Sequence, residues 1–182
     1  MKKEAGDAER GMFSLVVADL DDPRHAAAIM ALLDDYASSP TGGGQPLPDE
    51  TRRRLIPELR KRAATTHILL GFADGEAAGL LIAFEGFSTF AGRPLLNIHD
   101  LMVSVPWRGK GLCTLLLRRI ESLAADLGCC KLTLEVLADN HPALAAYRAF
   151  GFEPYRLDPT GGCAQFWHKV AEPVHPDGYE AL

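Results

Sequence analysis

Residues 95–137, LLNIHDLMVSVPWRGKGLCTLLLRRIESLAADLGCCKLTLEVL, hold a complete strand–helix–strand unit. Residues 95–105 make a strand candidate that is apolar on both faces. Over 111–127, Leu112, Leu115, Leu116, Ile120, Leu123 and Leu127 recur at three- and four-residue steps, as on an amphipathic helix. Gly128 supplies the usual helix stop, and 131–137 (KLTLEVL) is a second strand. Such a crossover makes its two strands parallel neighbours with a right-handed connection.

Upstream, 67–73 and 79–87 are apolar runs joined through Asp74-Gly75, the strongest hairpin signal in the chain, so that end of the sheet is antiparallel. Residues 13–18 (FSLVVA) suit a first strand. Asp21-Asp22-Pro23 starts a helix, with acidic caps and proline at the first helical position. It runs to about Ser39, with Ala27, Met30, Ala31, Leu33 and Ala37 on its apolar side. Residues 40–48 (PTGGGQPLP) are loop by composition, and Asp49 restarts a helix in spite of Pro57. Downstream, 142–150 is a short helix closed by Gly151, and strands fit near 152–157 and 164–170. The fold class is α/β. We expect one domain over 11–171, a mixed and mostly antiparallel sheet flanked by helices, between a charged leader (1–10) and a tail (172–182).

Composition narrows the function. A chain of 182 residues buries a sufficient core without disulfides. Nineteen basic against 24 acidic residues give a net charge of −5, which argues against a non-specific nucleic-acid binder. No run approaches the roughly 18 apolar residues of a membrane span, and MKKEAGDAER lacks the apolar segment of a signal peptide. Cys113, Cys129, Cys130 and Cys163 make neither a zinc spacing nor a disulfide framework and read as thiols in a reducing cytoplasm. The histidines are scattered without an HExxH pair, so no metal is expected.

The chemistry concentrates where the 95–105 strand gives way to the helix, in VPWRGKGLCTLLL (105–117). Helix N-termini present unpaired N–H groups and the positive end of the dipole, a ready anion site. No Ser, Thr, Asp or Asn caps this one. Residues 101–120 carry Arg108, Lys110, Arg118 and Arg119 and no acid, inside an acidic protein. Gly109 and Gly111 let a phosphate approach the backbone. The bland alternative is a plain turn whose glycines merely supply positive φ. A Walker loop fails at Ser104, and a dinucleotide fingerprint fails for want of a third glycine.

With the later stretch LTLEVLADNHPALAAYRAFGF (132–152) in view, the chain resembles the GCN5-related N-acetyltransferase superfamily. The family's acetyl-CoA motif, Arg/Gln-x-x-Gly-x-Gly/Ala, matches Arg108-x-x-Gly111-x-Cys113. Its later signature matches Asn140, Ala143 or Ala145, Tyr147 and Gly151-Phe152. Cys113 departs from the family's Gly or Ala at the third position, which implies a looser pyrophosphate contact there. The resemblance covers nearly the whole chain and implies an acyl-CoA N-acyltransferase fold with acetyl-CoA as cosubstrate. It implies that the pyrophosphate lies over the backbone of Arg108, Gly109, Lys110, Gly111, Leu112, Cys113 and Thr114. The pantetheine arm would bond the Met102 and Val103 backbone, Asn140 would anchor it, and Tyr147 would protonate the departing thiolate. The alternative for Tyr147 is a core aromatic. The implied partner is a small-molecule or peptide amine, with neither nucleic acid nor membrane, and a homodimer is common in the family.

An alkylamine near pKa 10.4 is almost wholly protonated at pH 7, and freeing its base form costs roughly 4.6 kcal/mol, so a base is useful. His99 is the first candidate, Asp100 the second and Glu135 a weaker third; structural hydrogen bonding within the sheet is the competing role for each. Strict alternation puts His99 and Asp100 on opposite faces unless a bulge intervenes. Asp34, Asp35, Asp49 and Glu50 fall in the segment expected to border the acceptor, which favours cationic amines. The rival function is a non-catalytic acyl-CoA-binding or regulatory module on the same fold.

Overall fold

The computed structural model describes residues 12–156 and 162–167. The chain divides into two units, Met1–Gly151 and Phe152–Leu182. Every helix and strand assigned among the described residues lies in the first.

That unit is a five-stranded sheet in the order β1-β2-β3-β4-β5, formed by Phe13–Val17, Thr66–Ala73, Glu76–Ser88, Arg93–Val103 and Leu132–Leu134. The first four strands are antiparallel neighbours, and β4 pairs with β5 in parallel. The Asp74-Gly75 hairpin forms as its sequence requires, both residues taking positive φ of 50° and 81°.

Helices α1 (Pro23–Ser38) and α2 (Asp49–Lys61) cover one face of the sheet. Asp22 caps α1 by accepting from the Arg24 N–H at 2.8 Å, with Pro23 next to it. The buried side of α1 is Ala28, Ile29, Leu32 and Leu33. It is rotated from the expected stripe because the large side chains set the phase and the alanines follow. These residues meet Ile68, Leu70, Leu80, Ile82 and Met102 of the sheet.

Helix α3 (Leu112–Asp126) buries Leu112, Leu116, Leu117 and Ile120 on the other face. A Cβ on Gly71 or Gly79 would come within 2.7 or 2.9 Å of the Leu112 side chain, and these two glycines are paired across β2 and β3. The start of α3 is therefore seated in a two-glycine notch. Helix α4 (His141–Phe150) ends at Gly151, which is left-handed with φ 106°.

Two strand expectations change. β5 is three residues long, shorter than 131–137. In the second unit, 152–156 and 162–167 form no strand; their recorded backbone bond is Ala164 N–H to Tyr155 O at 2.9 Å. Pro154 has no N–H to give to a ladder there. Residues 157–161 and 168–170, and the expected leader and tail (1–10 and 172–182), lie outside the described residues.

Candidate active site

The site begins where β4 outruns β5. Leu96, Asn97 and Ile98 pair with Leu132, Thr133 and Leu134, and β4 continues to Val103 beyond that pairing. The Ser104 N–H donates to Ala78 O on β3 at 2.9 Å. Backbone groups alternate sides along a strand, so Met102 also bonds toward β3 while Leu101 and Val103 face the open edge. Met102, expected to meet the pantetheine arm, pairs with Leu80 of β3 and buries its side chain. The Val103 carbonyl already accepts from Arg108 Nε at 2.9 Å, which folds the Arg108 side chain back along the strand end.

The chain then makes a 3-10 turn, Val105–Trp107, and reaches α3 through Gly109 (φ 72°) and Gly111 (φ 92°). Gly111 is the N-cap, and no side chain caps the helix. A Cβ at Gly109 or Gly111 would meet nothing within 4 Å, so the space over this turn is open to a ligand. Trp107 is packed edge-on against Phe13 (5.8 Å between centroids), and Lys110 Nζ lies 4.6 Å from its ring centre. The turn is thereby braced, with the Leu112, Cys113 and Thr114 N–H groups at the positive end of the helix dipole.

The middle of β4 carries the bulge that alternation alone left open. Ile82 pairs with Asp100, the next residue Ala83 pairs with Ile98, and His99 is the extra residue. Asp100 shares a face with Ile82. The His99 ring packs edge-on against Phe84, 5.6 Å between centroids, and Phe84 belongs to the same α1–α2 core. Both candidates thus reach one face. Burial raises the Asp100 carboxyl above the usual range, and a charge on His99 opposes that rise.

Tyr147 projects from α4 and is half-buried. Its phenol is pushed up to about 12, first by burial and then by the charges of Cys113 and Tyr36. Burial also raises the thiol of Cys113, the residue that departs from the glycine motif, which disfavours its thiolate form. Tyr36, near the end of α1, is raised by burial and by Asp100. Asp100 thus influences the Tyr36 phenol, which in turn influences Tyr147, and the sequence reading did not single out Tyr36. Its signal was the spacing Ile29, Leu32 or Leu33, Tyr36, which places it on the inward side of α1.

Four other expected residues are held by neighbours within the protein. Asn140 stands on the loop after β5 and caps α4, its Oδ1 accepting from the Ala143 N–H at 3.3 Å. Asp34 accepts from the Leu47 N–H at 2.9 Å and from Arg52 Nη2 at 2.5 Å, and Glu50 pairs with Arg54 at 3.4 Å. The charges expected to attract a cation are thus partly answered within the protein. Glu135 is held by Asn97 Nδ2, at 3.2 Å from each carboxylate oxygen. Among the described residues no group of three or more His, Cys, Asp or Glu could hold a metal ion, and no helix is long and apolar enough to cross a membrane.

Residues 27–152, which contain the turn, the bulge and Tyr147, match the Acetyltransferase (GNAT) family. The chain belongs to that family. It is 39% identical over 93 residues to streptothricin acetyltransferase of Streptomyces lavendulae, covering 51% of this chain and 47% of that protein. It is 26% identical over 125 residues to thialysine N-epsilon-acetyltransferase of Caenorhabditis elegans, covering 69% of this chain and 75% of that one. The match thus spans about half the length of the streptothricin relative. A crystal structure of a probable acetyltransferase superposes with a TM-score of 0.71 at 19% identity, covering 87% of this chain and 99% of that chain. At that identity the likeness speaks to the fold, a mixed five-stranded sheet with flanking helices.

Proposed function

We propose that this GNAT protein is an acetyl-CoA-dependent N-acetyltransferase that acetylates a primary amine by direct attack in a ternary complex. The observation that carries the reading is the meeting of three features at one fork. These are the β4 edge at Leu101 and Val103, which has no ladder partner among the described residues although Arg108 holds the Val103 carbonyl, the α3 N-terminus at Gly111 with no side-chain cap, and the half-buried Tyr147 on α4.

The residues fit the cosubstrate. The α3 amides and the open space over Gly109 and Gly111 suit a pyrophosphate, and the β4 edge offers an amide arm a ladder partner. Asn140 caps α4 through Oδ1, which leaves its amide Nδ2 able to donate to the arm. Acetyl-CoA supplies the thioester carbon that the amine attacks.

Asp100, with His99 beside it on the bulge, takes the proton of the attacking amine. Its raised pKa makes it a stronger base than an exposed carboxylate. Tyr147 faces the leaving sulfur. A phenol near 12 does not hand its proton fully to a thiolate near 8.5, so Tyr147 donates a hydrogen bond that stabilises the developing charge. The thialysine relative's name specifies a nitrogen acceptor, which supports an amine here too.

The test is thiol release from acetyl-CoA across a panel of primary amines, with calorimetry for CoA in parallel. Amine-dependent release supports the enzyme. Tight CoA binding with no release from any amine overturns it in favour of the binding module.

A further inference from the structure

The carboxylates expected to meet a cationic acceptor, Asp34 and Glu50, face Arg52 and Arg54. One acid on the acceptor side of the sheet is held differently. Phe84 pairs with Asn97, and Asn97 pairs with Thr133, so these three side chains share the face that carries the α1–α2 core. Glu135 lies two residues beyond Thr133 and returns to the same face. There Asn97 Nδ2 donates to both of its oxygens, and also reaches Thr133 Oγ1 at 3.1 Å.

An amide orients a carboxylate without neutralising it. Glu135 is exposed, and among the described residues no cationic side chain pairs with it. Its carboxylate is hydrogen-bonded to Asn97, and across the bulge Asn97 and Asp100 oppose Phe84 and Ile82, which are two residues or about 7 Å apart along β3. An acceptor whose reacting nitrogen meets Asp100 would therefore bring its far end toward Glu135.

Resting on the transferase reading above, we infer that Glu135, aimed by Asn97 across the β4–β5 fork, receives a second ammonium group of the acceptor. The acceptor class is then a diamine or a basic molecule with two amines several carbons apart.

The experiment compares butylamine with 1,5-diaminopentane in wild type, Glu135→Gln and Asn97→Ala. It measures kcat/KM for each amine and, by calorimetry with CoA present, diamine binding. In the wild type the diamine is preferred, and added salt erodes the preference. Glu135→Gln lowers the preference and the diamine affinity about tenfold, the effect of losing one hydrogen bond to a charge. Asn97→Ala lowers both by less, because the carboxylate remains but is no longer aimed. An unchanged preference in Glu135→Gln overturns the inference and leaves the transferase standing. So does an equal loss on both amines with a displaced acid limb, which would make Glu135 the base. Diamine binding that weakens in Glu135→Gln, in a protein that transfers nothing, would keep this site and remove the transferase reading.

Discussion

Leu112 occupies the volume that a side chain on Gly79 would need: a Cβ there would lie 2.9 Å from Leu112 Cδ2 and 3.2 Å from Leu116 Cδ1. The first turn of α3 is thereby pinned to the sheet, and the height of Gly111 above β4 is fixed by packing. Gly79→Ala should lower stability by about 1–3 kcal/mol through overpacking and should weaken acetyl-CoA binding by lifting the helix start. Leu112→Val in the Gly79→Ala background should restore part of both. Denaturant titration and calorimetry on the two variants check this; wild-type stability in Gly79→Ala would refute the pinning.

Gly111 has a different constraint. Its φ is 92° and nothing crowds it, so a side chain there meets backbone strain and whatever ligand lies over the turn, not protein atoms. Gly111→Val should lose acetyl-CoA affinity, while Cys113→Gly should keep or improve it. Gly111→Asn separates the two causes, since asparagine tolerates the left-handed region. Near-wild-type stability with weakened binding is expected. Unchanged affinity in folded Gly111→Val would remove the turn from the binding site.

Much of this arrangement was legible in the sequence, for identifiable reasons. Asp74-Gly75 fixes a hairpin locally, and the 95–137 unit forces two parallel strands, so these two pairings followed from short-range chemistry. The uncapped Arg108–Gly111 turn was legible because a missing cap is a local fact. The face of Asp100 was not, because a bulge is one inserted residue that an apolar strand pattern does not mark; only the pairing of Ala83 with Ile98 shows it. The phase of α1 failed for a related reason: alanines fit either side, and Ile29 and Leu32 decide which is buried. With that phase wrong, Tyr36 was not read as an inward-facing residue of α1. The short β5 depends on long-range packing that no local signal encodes.

The bulge makes a pH prediction with a definite sign. Asp100 is raised by burial, so the acid limb of kcat should lie above the usual carboxylate range. A positive His99 lowers Asp100, so His99→Ala should move that limb to higher pH. Were His99 itself the base, the limb would vanish instead. Stability follows the same linkage. A carboxyl raised in the folded state favours folding at pH below its unfolded value, and that contribution is lost as pH rises through the folded value. Asp100→Asn should therefore be more stable than wild type at neutral pH and equal to it in acid, while losing activity. Activity against pH and melting temperature against pH, on the two variants, decide the assignment.

Tyr147 provides the sharpest separation of enzyme from binding module. At about 12 its hydroxyl stays protonated throughout the working range, so it contributes no alkaline limb below about pH 11. Tyr147→Phe keeps the ring and its packing, so acetyl-CoA affinity should be largely retained. Turnover should fall, toward the lower end of the roughly 10²–10⁴-fold expected of acid assistance, because full proton transfer to the thiolate is uphill and solvent can complete it. The acid limb set by Asp100 should keep its position in the mutant. The measurement is kcat against pH from 6 to 10, at saturation in both substrates and with chemistry shown to be rate-limiting. Undiminished kcat would reduce Tyr147 to a packing residue. An alkaline fall present in the wild type and absent in Tyr147→Phe would show that the hydroxyl titrates in that range, and would overturn the rise that burial gives it.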